Sequence, residues 1–126
     1  MNVPTSPEAV VRTVYDRLNA HDLDGYYALC SDDLVYTGMT TLHGKASARA
    51  FDEPAFAALP DHWRRVDRLL VSGEVVAVWL VLGGTPLASG TPFEVEFCNI
   101  FEVRGGLVTS ITMYTDWPAL MQKLGA

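Results

Sequence analysis

The sequence predicts an α+β domain in which helices come first and cover a curved antiparallel sheet. Apolar residues recur at helical spacing over roughly the first half of the chain. After Pro60 the pattern becomes extended, with Val-rich and alternating stretches separated by turns that contain Gly. No linker or internal repeat divides the 126 residues, so we expect a single domain spanning residues 1–126.

The helices are predicted from their caps and their apolar spacing. Ser6–Glu8 is a helix start, because Ser caps well, Pro suits the first helical position and Glu suits the positive end of the dipole. A second helix, capped by Asp22, is expected to run through Cys30. A third is expected over residues 45–59, with an interruption near Pro54.

The second half of the chain predicts strands and one tight turn. The run from Val75 to Leu82 is apolar throughout and rich in Val, which predicts a strand buried on both faces. Gly105–Gly106 predicts a two-residue hairpin turn. We expect loops at 38–43 and 83–92 and a closing helix at 117–124. The expected strands are 34–37, 62–72, 75–82, 93–103 and 108–115.

The hairpin also predicts which side chains share a face of the sheet. If Gly105 and Gly106 are the two turn residues, Asn99 lies opposite Thr112. We expect this mostly apolar face to meet the helices, and the acidic opposite face to contact water or a second chain. The inner face then carries Val95, Phe97, Asn99, Phe101, Ser110, Thr112, Tyr114 and Asp116.

Composition excludes several classes of partner. Nine Lys and Arg against fifteen Asp and Glu give a net charge of −6, so a nucleic-acid partner is not expected. The cluster of Arg64, Arg65 and Arg68 is interpreted as a solvated strand face. No apolar run approaches the ~20 residues that cross a membrane.

The N-terminus and the cysteines indicate the compartment. The first residues lack the basic start and the apolar core of a signal peptide. Cys30 and Cys98 have no metal-ligand spacing and nothing that pairs them. We therefore expect a cytoplasmic protein that uses no metal and no cofactor.

Several stretches of the sequence carry a family resemblance. Residues 14–25 (VYDRLNAHDLDG) and 31–36 (SDDLVY), followed by HGK at 43–45, resemble the nuclear-transport-factor-2-like superfamily. Residues 114–125 (YTDWPALMQKLG) are similar to its SnoaL-like polyketide cyclase branch. The resemblance covers nearly the whole chain. It implies a cone-shaped α+β barrel around a deep pocket, a hydrophobic small-molecule ligand and a homodimer.

The resemblance assigns roles at only a few positions. Asp116 occupies the position of the acidic residue that performs acid/base chemistry in SnoaL-like cyclases and in limonene epoxide hydrolase. Tyr36 stands where that hydrolase keeps a tyrosine that positions water. The functional residues of ketosteroid isomerase fall at Val14 and Gly38, and only Asn99 keeps a polar counterpart of its second oxyanion donor. The hydrolase's asparagine partner of that tyrosine also falls at Gly38, and its Arg and second Asp fall within the apolar residues 78–82. Hydrolase or isomerase chemistry in those forms is therefore not expected.

Asp116 and Asn99 are the catalytic candidates from sequence. Asp116 would transfer a proton and Asn99 would polarise a substrate oxygen. The alternative for Asp116 is a helix cap, and for Asn99 a structural hydrogen bond to Thr112 or to the backbone. His43 and His62 are further acid/base candidates at neutral pH. The expected substrate-binding residues, which could instead fill the core, are Tyr15, Tyr36, Tyr114, Phe97, Phe101, Trp63 and Trp79.

These observations leave more than one function open. The first hypothesis is a cofactor-free acid/base enzyme of cyclase, isomerase or dehydratase type, acting on a hydrophobic oxygenated molecule. The alternatives are a ligand-binding module without catalysis and a dimerisation module that uses the outer face of the sheet. A closed, dry pocket around Asp116 would favour the enzyme.

Overall fold

The computed structural model describes residues 6–125, which form four helices and one six-stranded sheet. The predicted α+β class with a curved sheet is confirmed. In chain order the elements are α1 (Pro7–Asn19), α2 (Leu23–Ala28), β1 (Cys30–Thr37), β2 (Thr41–His43), α3 (Lys45–Ala57), β3 (Trp63–Ser72), β4 (Val75–Gly84), β5 (Phe93–Arg104), β6 (Leu107–Tyr114) and α4 (Trp117–Lys123).

The helix starts follow the predicted caps. The Ser6 side chain accepts a hydrogen bond from the Ala9 backbone N–H at 3.2 Å. The Asp22 carboxylate accepts one from the Gly25 N–H at 2.8 Å. Each bond satisfies one of the backbone donors that a helix leaves free in its first turn, which fixes where α1 and α2 begin.

The predicted interruption of α3 near Pro54 is wrong. The helix continues through Pro54 to Ala57. Proline removes the N–H that would bond the carbonyl four residues earlier, here that of Ala50. Because Ala50 and Pro54 are both exposed, water can satisfy that carbonyl.

The segment after α2 is extended earlier than predicted. The second helix ends at Ala28, and β1 begins at Cys30 rather than at Leu34, because Cys30 pairs with Val108 of β6. The predicted loop over 38–43 contains β2, which turns back and pairs with β1 in antiparallel fashion. Long-range pairing therefore overrides the local helical pattern at this point.

The sheet has the strand order β2-β1-β6-β5-β4-β3 and does not close into a barrel. All neighbouring strands are antiparallel except β1 and β6, which run parallel. Register shifts interrupt three strand pairs, and such bulges bend strands and increase their twist. The shifts lie between Cys30 and Val35, between Val66 and Arg68, and between Glu102 and Val103.

The hairpin turn is confirmed, but its predicted register is wrong. Gly105 and Gly106 have φ values of 59° and 80°, which suit a two-residue hairpin turn. Beyond Glu102 the bulge shifts the pairing by one residue, so that Asn99 lies opposite Met113 rather than Thr112. A shift of one residue moves every side chain of a strand to the other face.

The shifted register explains which residues of β6 are buried. Val108 and Ile111 are both buried, although their spacing of three places them on opposite faces of a regular strand. The bulge brings both to the inner face and leaves Thr112 and Tyr114 on the outer face.

The prediction that β4 is buried on both faces is wrong for its first half. Val75 and Trp79 are 37% and 38% exposed, because nothing among residues 6–125 covers the outer face of the sheet there. The inner face of the same strand, which includes Val76 and Val78, is fully buried in the core. The core therefore lies between the concave side of the sheet and the helices.

Candidate functional site

A cavity of about 480 Å³ lies between the inner face of the sheet and α1, α3 and α4. Most of its wall is apolar, as in typical small-molecule sites. Phe97, Phe101 and Leu80 come from the sheet, and Phe56 and Trp117 come from the helices. The side chains that bring polar groups to the cavity are Tyr15, Tyr26, Tyr36, Asp52, His62, Arg64 and Asn99.

Asp52 is a buried carboxylic acid at the cavity wall, and its side chain joins two tyrosines. Only 3% of the residue is exposed. Tyr27 donates its hydroxyl to Oδ2 at 2.5 Å, and Tyr36 donates its hydroxyl to Oδ1 at 2.7 Å. Tyr36 lines the cavity with Asp52, whereas Tyr27 is almost fully buried behind it. Three elements, α2, β1 and α3, therefore hold one carboxyl group in place.

The surroundings of Asp52 alter its ionisation. Burial raises its pKa above the usual 3.8, because an apolar environment disfavours the charged form. Hydrogen bonds from Tyr27 and Tyr36, and the charge of Arg64, oppose that rise. Burial and the neighbouring Asp52 also raise the pKa of Tyr36, so this tyrosine keeps its proton and remains a donor. A carboxyl group of this kind can both take up and release a proton in a dry site.

Asn99 and Tyr15 form a second polar pair in the cavity. The Asn99 amide donates to the Tyr15 hydroxyl at 3.1 Å, and this bond takes the place of the alternative bond to Thr112 or to the backbone. The amide oxygen of Asn99 is buried and has no hydrogen-bond partner within residues 6–125. Buried polar atoms are normally satisfied, so a ligand donor in the cavity would complete this pair.

Arg64 brings a positive charge to the cavity, at the start of β3. Its guanidinium donates to Nδ1 of His62 at 2.8 Å and lies over the ring of Phe56, 5.0 Å from the centroid. Burial is the main cause that lowers the pKa of His62, to about 4, and the charge of Arg64 adds to it. His62 is therefore neutral near pH 7, and its Nδ1 accepts from Arg64.

The backbone around Arg64 is fixed by the end of α1. The Asn19 side chain accepts from the Arg64 N–H at 2.7 Å and donates to the Arg64 carbonyl at 2.9 Å. His21 donates a ring N–H to the carbonyl of His62 at 2.7 Å, and the two imidazole rings stack with centroids 4.2 Å apart. These contacts hold both the main chain and the side chain of Arg64.

The structure brings six of the predicted site residues to the cavity. The residues that line it are Tyr15, Tyr36, His62, Phe97, Asn99 and Phe101. Tyr15 packs edge-on against Phe101 with ring centroids 5.9 Å apart. The alternation along β5 was therefore sufficient to predict the inner face of that strand.

Asp116 does not face the cavity. It is exposed, and its carboxylate accepts the Ala119 N–H at 3.1 Å as the N-cap of α4. A dry pocket around Asp116, the condition that would have favoured an enzyme using this residue, is not found, and the alternative interpretation as a helix cap is confirmed.

Three aromatic residues predicted to bind substrate also lie outside the cavity lining. Tyr114 is 60% exposed and Trp79 is partly exposed, because both point to the outer face of the sheet. Trp63 packs over Gly83, where an added Cβ would come within 2.2 Å of its ring.

Sequence reasoning missed Asp52 and misplaced Arg64. Asp52 occurs four residues after the fully buried Ala48, on the inner face of α3, and an acidic residue at such a position is a detectable signal. Of the arginine cluster, Arg65 and Arg68 are exposed as predicted, but Arg64 alternates to the inner face of β3. The alternation of β3 could have identified it.

No group of three or more His, Cys, Asp or Glu side chains that could hold a metal ion occurs within residues 6–125. None of the helices in that part of the chain is long and apolar enough to cross a membrane.

The fold and the cavity place the chain in a class of small α+β domains that contain a pocket. Comparison with known families identifies the family. The model of the SnoaL-like domain family matches residues 11–111, so the chain belongs to that family. No curated protein gives a significant match.

Solved structures with the same fold include an NTF2-like protein of unknown function from Burkholderia pseudomallei. Its sequence is 21% identical and its TM-score is 0.85, and the match covers 95% of this chain and 98% of that protein. IdmH, a candidate polyketide cyclase from Streptomyces antibioticus, is 23% identical with a TM-score of 0.80, covering 96% and 99%. AclR, a candidate hydroxylase from Streptomyces galilaeus, is 18% identical with a TM-score of 0.82, covering 94% and 95%. Identities this low show only that the fold is shared.

Proposed function

We propose that this protein binds a hydrophobic, oxygenated small molecule in the cavity and transfers a proton on it with Asp52, without a cofactor. The single observation that carries the proposal is a carboxyl group, 3% exposed, at the wall of a largely apolar cavity of about 480 Å³. The reaction class is cyclisation, isomerisation or dehydration, and membership of the SnoaL-like domain family supports it.

The polar groups of the cavity suggest how such a reaction would begin. Ionised Asp52 takes a proton from a carbon next to a ligand carbonyl, and the electrons of the broken C–H bond form an enolate. The Tyr15 hydroxyl, which accepts from Asn99, lies in the same cavity and donates its own proton to a ligand oxygen, while the Asn99 amide oxygen accepts from a ligand donor. Protonated Asp52 then returns its proton to a different atom of the ligand. Tyr27 and Tyr36 hold the carboxyl group throughout.

Deuterium exchange tests this step without knowledge of the final reaction. Bicyclic and tricyclic aryl ketones and aryl 1,3-diketones are incubated with the protein in D₂O, and deuterium at the carbon next to the carbonyl is followed by mass spectrometry. We expect at least one of these ketones to exchange faster with the protein than without it. Asp52→Asn should slow that exchange by roughly 10²- to 10⁴-fold, the usual contribution of a general base.

Two variants serve as controls for that experiment. Asp116→Asn keeps the cap of α4 and should leave the exchange rate unchanged, because Asp116 lies outside the cavity. Tyr27→Phe should change the rate while preserving ligand binding, because the Tyr27 hydroxyl bonds the carboxyl group and Tyr27 does not line the cavity. Exchange that persists in Asp52→Asn, or that no ketone shows, would refute proton transfer and leave the non-catalytic binding module as the function.

We also propose that two copies of the chain associate through the outer face of the sheet. Its exposed apolar side chains support this, since large apolar patches on a surface commonly mark an interface. Trp79 lies beside Arg68 on one neighbouring strand and Cys98 on the other, and Tyr114 follows Cys98 in the same row. Leu70 and Val75 extend the apolar surface along β3 and β4.

A further inference from the structure

The charge of Arg64 has no carboxylate partner among residues 6–125. Within residues 6–125, the arginines that form ion pairs with carboxylates all lie at the surface: Arg12, Arg17, Arg49, Arg65 and Arg104. Within the same part of the chain, no carboxylate lies within 4 Å of Arg64, although it lines an apolar cavity. A partly buried charge without a partner is costly, and such charges are normally paired.

The hydrogen bonds of the Arg64 side chain are also incomplete. A guanidinium has five N–H donors in a planar fork. Within residues 6–125 one nitrogen, Nη1, donates to His62, and Nε and Nη2 have no protein acceptor. The Phe56 ring covers one face of the group. The unoccupied donors therefore remain available to a molecule in the cavity.

Asp52 does not supply the missing partner. It is the buried carboxyl group of the same cavity, but it forms no ion pair with Arg64. Its two oxygens accept from Tyr27 and Tyr36 instead. The cavity thus contains an acid and a cation at separate positions, and a ligand can contact both.

The position of Arg64 is fixed before any ligand binds. Asn19 bonds both backbone groups of Arg64, and His62 is itself held by His21 through its carbonyl. A guanidinium held in one orientation loses little conformational entropy when it forms a bidentate contact. Paired N–H groups of arginine match the two oxygens of a carboxylate in particular.

We propose that Arg64 binds an anionic oxygen group of the ligand, a carboxylate or an ionised enol, so that the cavity takes hydrophobic organic acids. This inference rests on the proposed function, because it assumes that the cavity is the ligand site. His62 is a positioning residue in this site: its neutral Nδ1 accepts from Arg64 and orients the guanidinium.

Matched pairs of probes test the inference. Naphthalene-, anthracene- and anthraquinone-carboxylic acids are each compared with the corresponding primary amide, which has similar shape and no charge, by isothermal titration calorimetry near pH 7. We expect at least one acid to bind about ten- to a hundred-fold more tightly than its amide, the usual advantage of a charged hydrogen bond. Equal binding of acid and amide, or no binding of any acid, would overturn the proposal.

Substitutions then locate the preference. Arg64→Gln should abolish the advantage of the acid while leaving binding of the amide within a few-fold, and Arg64→Lys should retain part of it. Arg65→Gln, a change to the exposed neighbour, should have no effect. Circular dichroism confirms that each variant is folded, and an acid preference that survives in folded Arg64→Gln refutes the role of Arg64.

Two variants of His62 separate a role in positioning Arg64 from a purely structural role. His62→Leu should reduce the acid preference, and His62→Asn, which can present an acceptor oxygen near the position of Nδ1, should restore part of it. Equal preference in the two variants would refute the positioning role. Asp52→Asn should retain the acid preference even though it loses deuterium exchange, so failure of the acid/base step and failure of the anion site give different results.

Discussion

The pH dependence of stability offers a direct test of the buried carboxyl group. Asp52→Asn replaces the ionisable carboxyl group with an amide that does not titrate and has nearly the same size. In the folded protein burial raises the pKa of Asp52 above 3.8, so the folded state holds a proton that the unfolded chain has already released. The stability that protonated Asp52 contributes is therefore complete below pH 3.8 and is lost as the pH rises towards the folded pKa.

The magnitude follows from one proton. Between pH 3.8 and the folded pKa, the free energy of unfolding of the natural chain should fall relative to Asp52→Asn by about 1.4 kcal/mol per pH unit. Loss of one acceptor for Tyr27 or Tyr36 adds an offset that does not depend on pH, so it leaves the slope unchanged. Above the folded pKa the difference should become constant, and the pH at which it levels gives that pKa.

Urea denaturation of both chains from about pH 2 to pH 8 measures the difference. Asp61→Asn provides a control of opposite sign, because hydrogen bonding to Thr85 lowers the pKa of Asp61. The stability from Asp61 is present above pH 3.8 and is lost as the pH falls through its folded pKa. A flat difference for Asp52→Asn, or one that slopes in the same direction as that for Asp61→Asn, would refute the account of a desolvated carboxyl group.

Two other predictions concern the cap of α4 and the outer face of the sheet. Asp116→Ala should lower the free energy of unfolding by about 1 kcal/mol, and Asp116→Asn should restore most of it; equal losses in urea denaturation would contradict the cap. Trp79→Glu should shift the chain from dimer to monomer in sedimentation velocity, whereas Leu87→Glu, on an exposed loop, should not. A chain that sediments as a monomer before substitution would contradict the proposed association.

Much of the fold could be predicted because its signals are local. Ser6, Asp22 and Asp116 each cap a helix through a backbone N–H three residues later, and the sequence shows all three as helix starts. The glycines at 105–106 identify the hairpin turn by their tolerance of positive φ. The alternation of β5 correctly separates Asn99 and its neighbours from the outer face.

The errors arise where distant segments decide the structure. The bulge before Val103 changes the register of β6, and with it the face on which Tyr114 lies. The site was missed because its carboxyl group depends on three separate segments: Tyr27, Tyr36 and Asp52 meet only in the folded chain. A family motif pointed to Asp116, but a motif carries no information on which way the side chain faces.

The amide of Asn19 also has a consequence for the edge of the sheet. β3 is an edge strand, and exposed edge strands can pair with strands of other molecules and promote aggregation. By bonding both the N–H and the carbonyl of Arg64, Asn19 occupies the positions that an incoming strand would use. Further along β3, the charges of Arg65, Asp67 and Arg68 make the edge unfavourable for such pairing. Asn19 and these charges thus protect the β3 edge of the sheet from intermolecular strand addition.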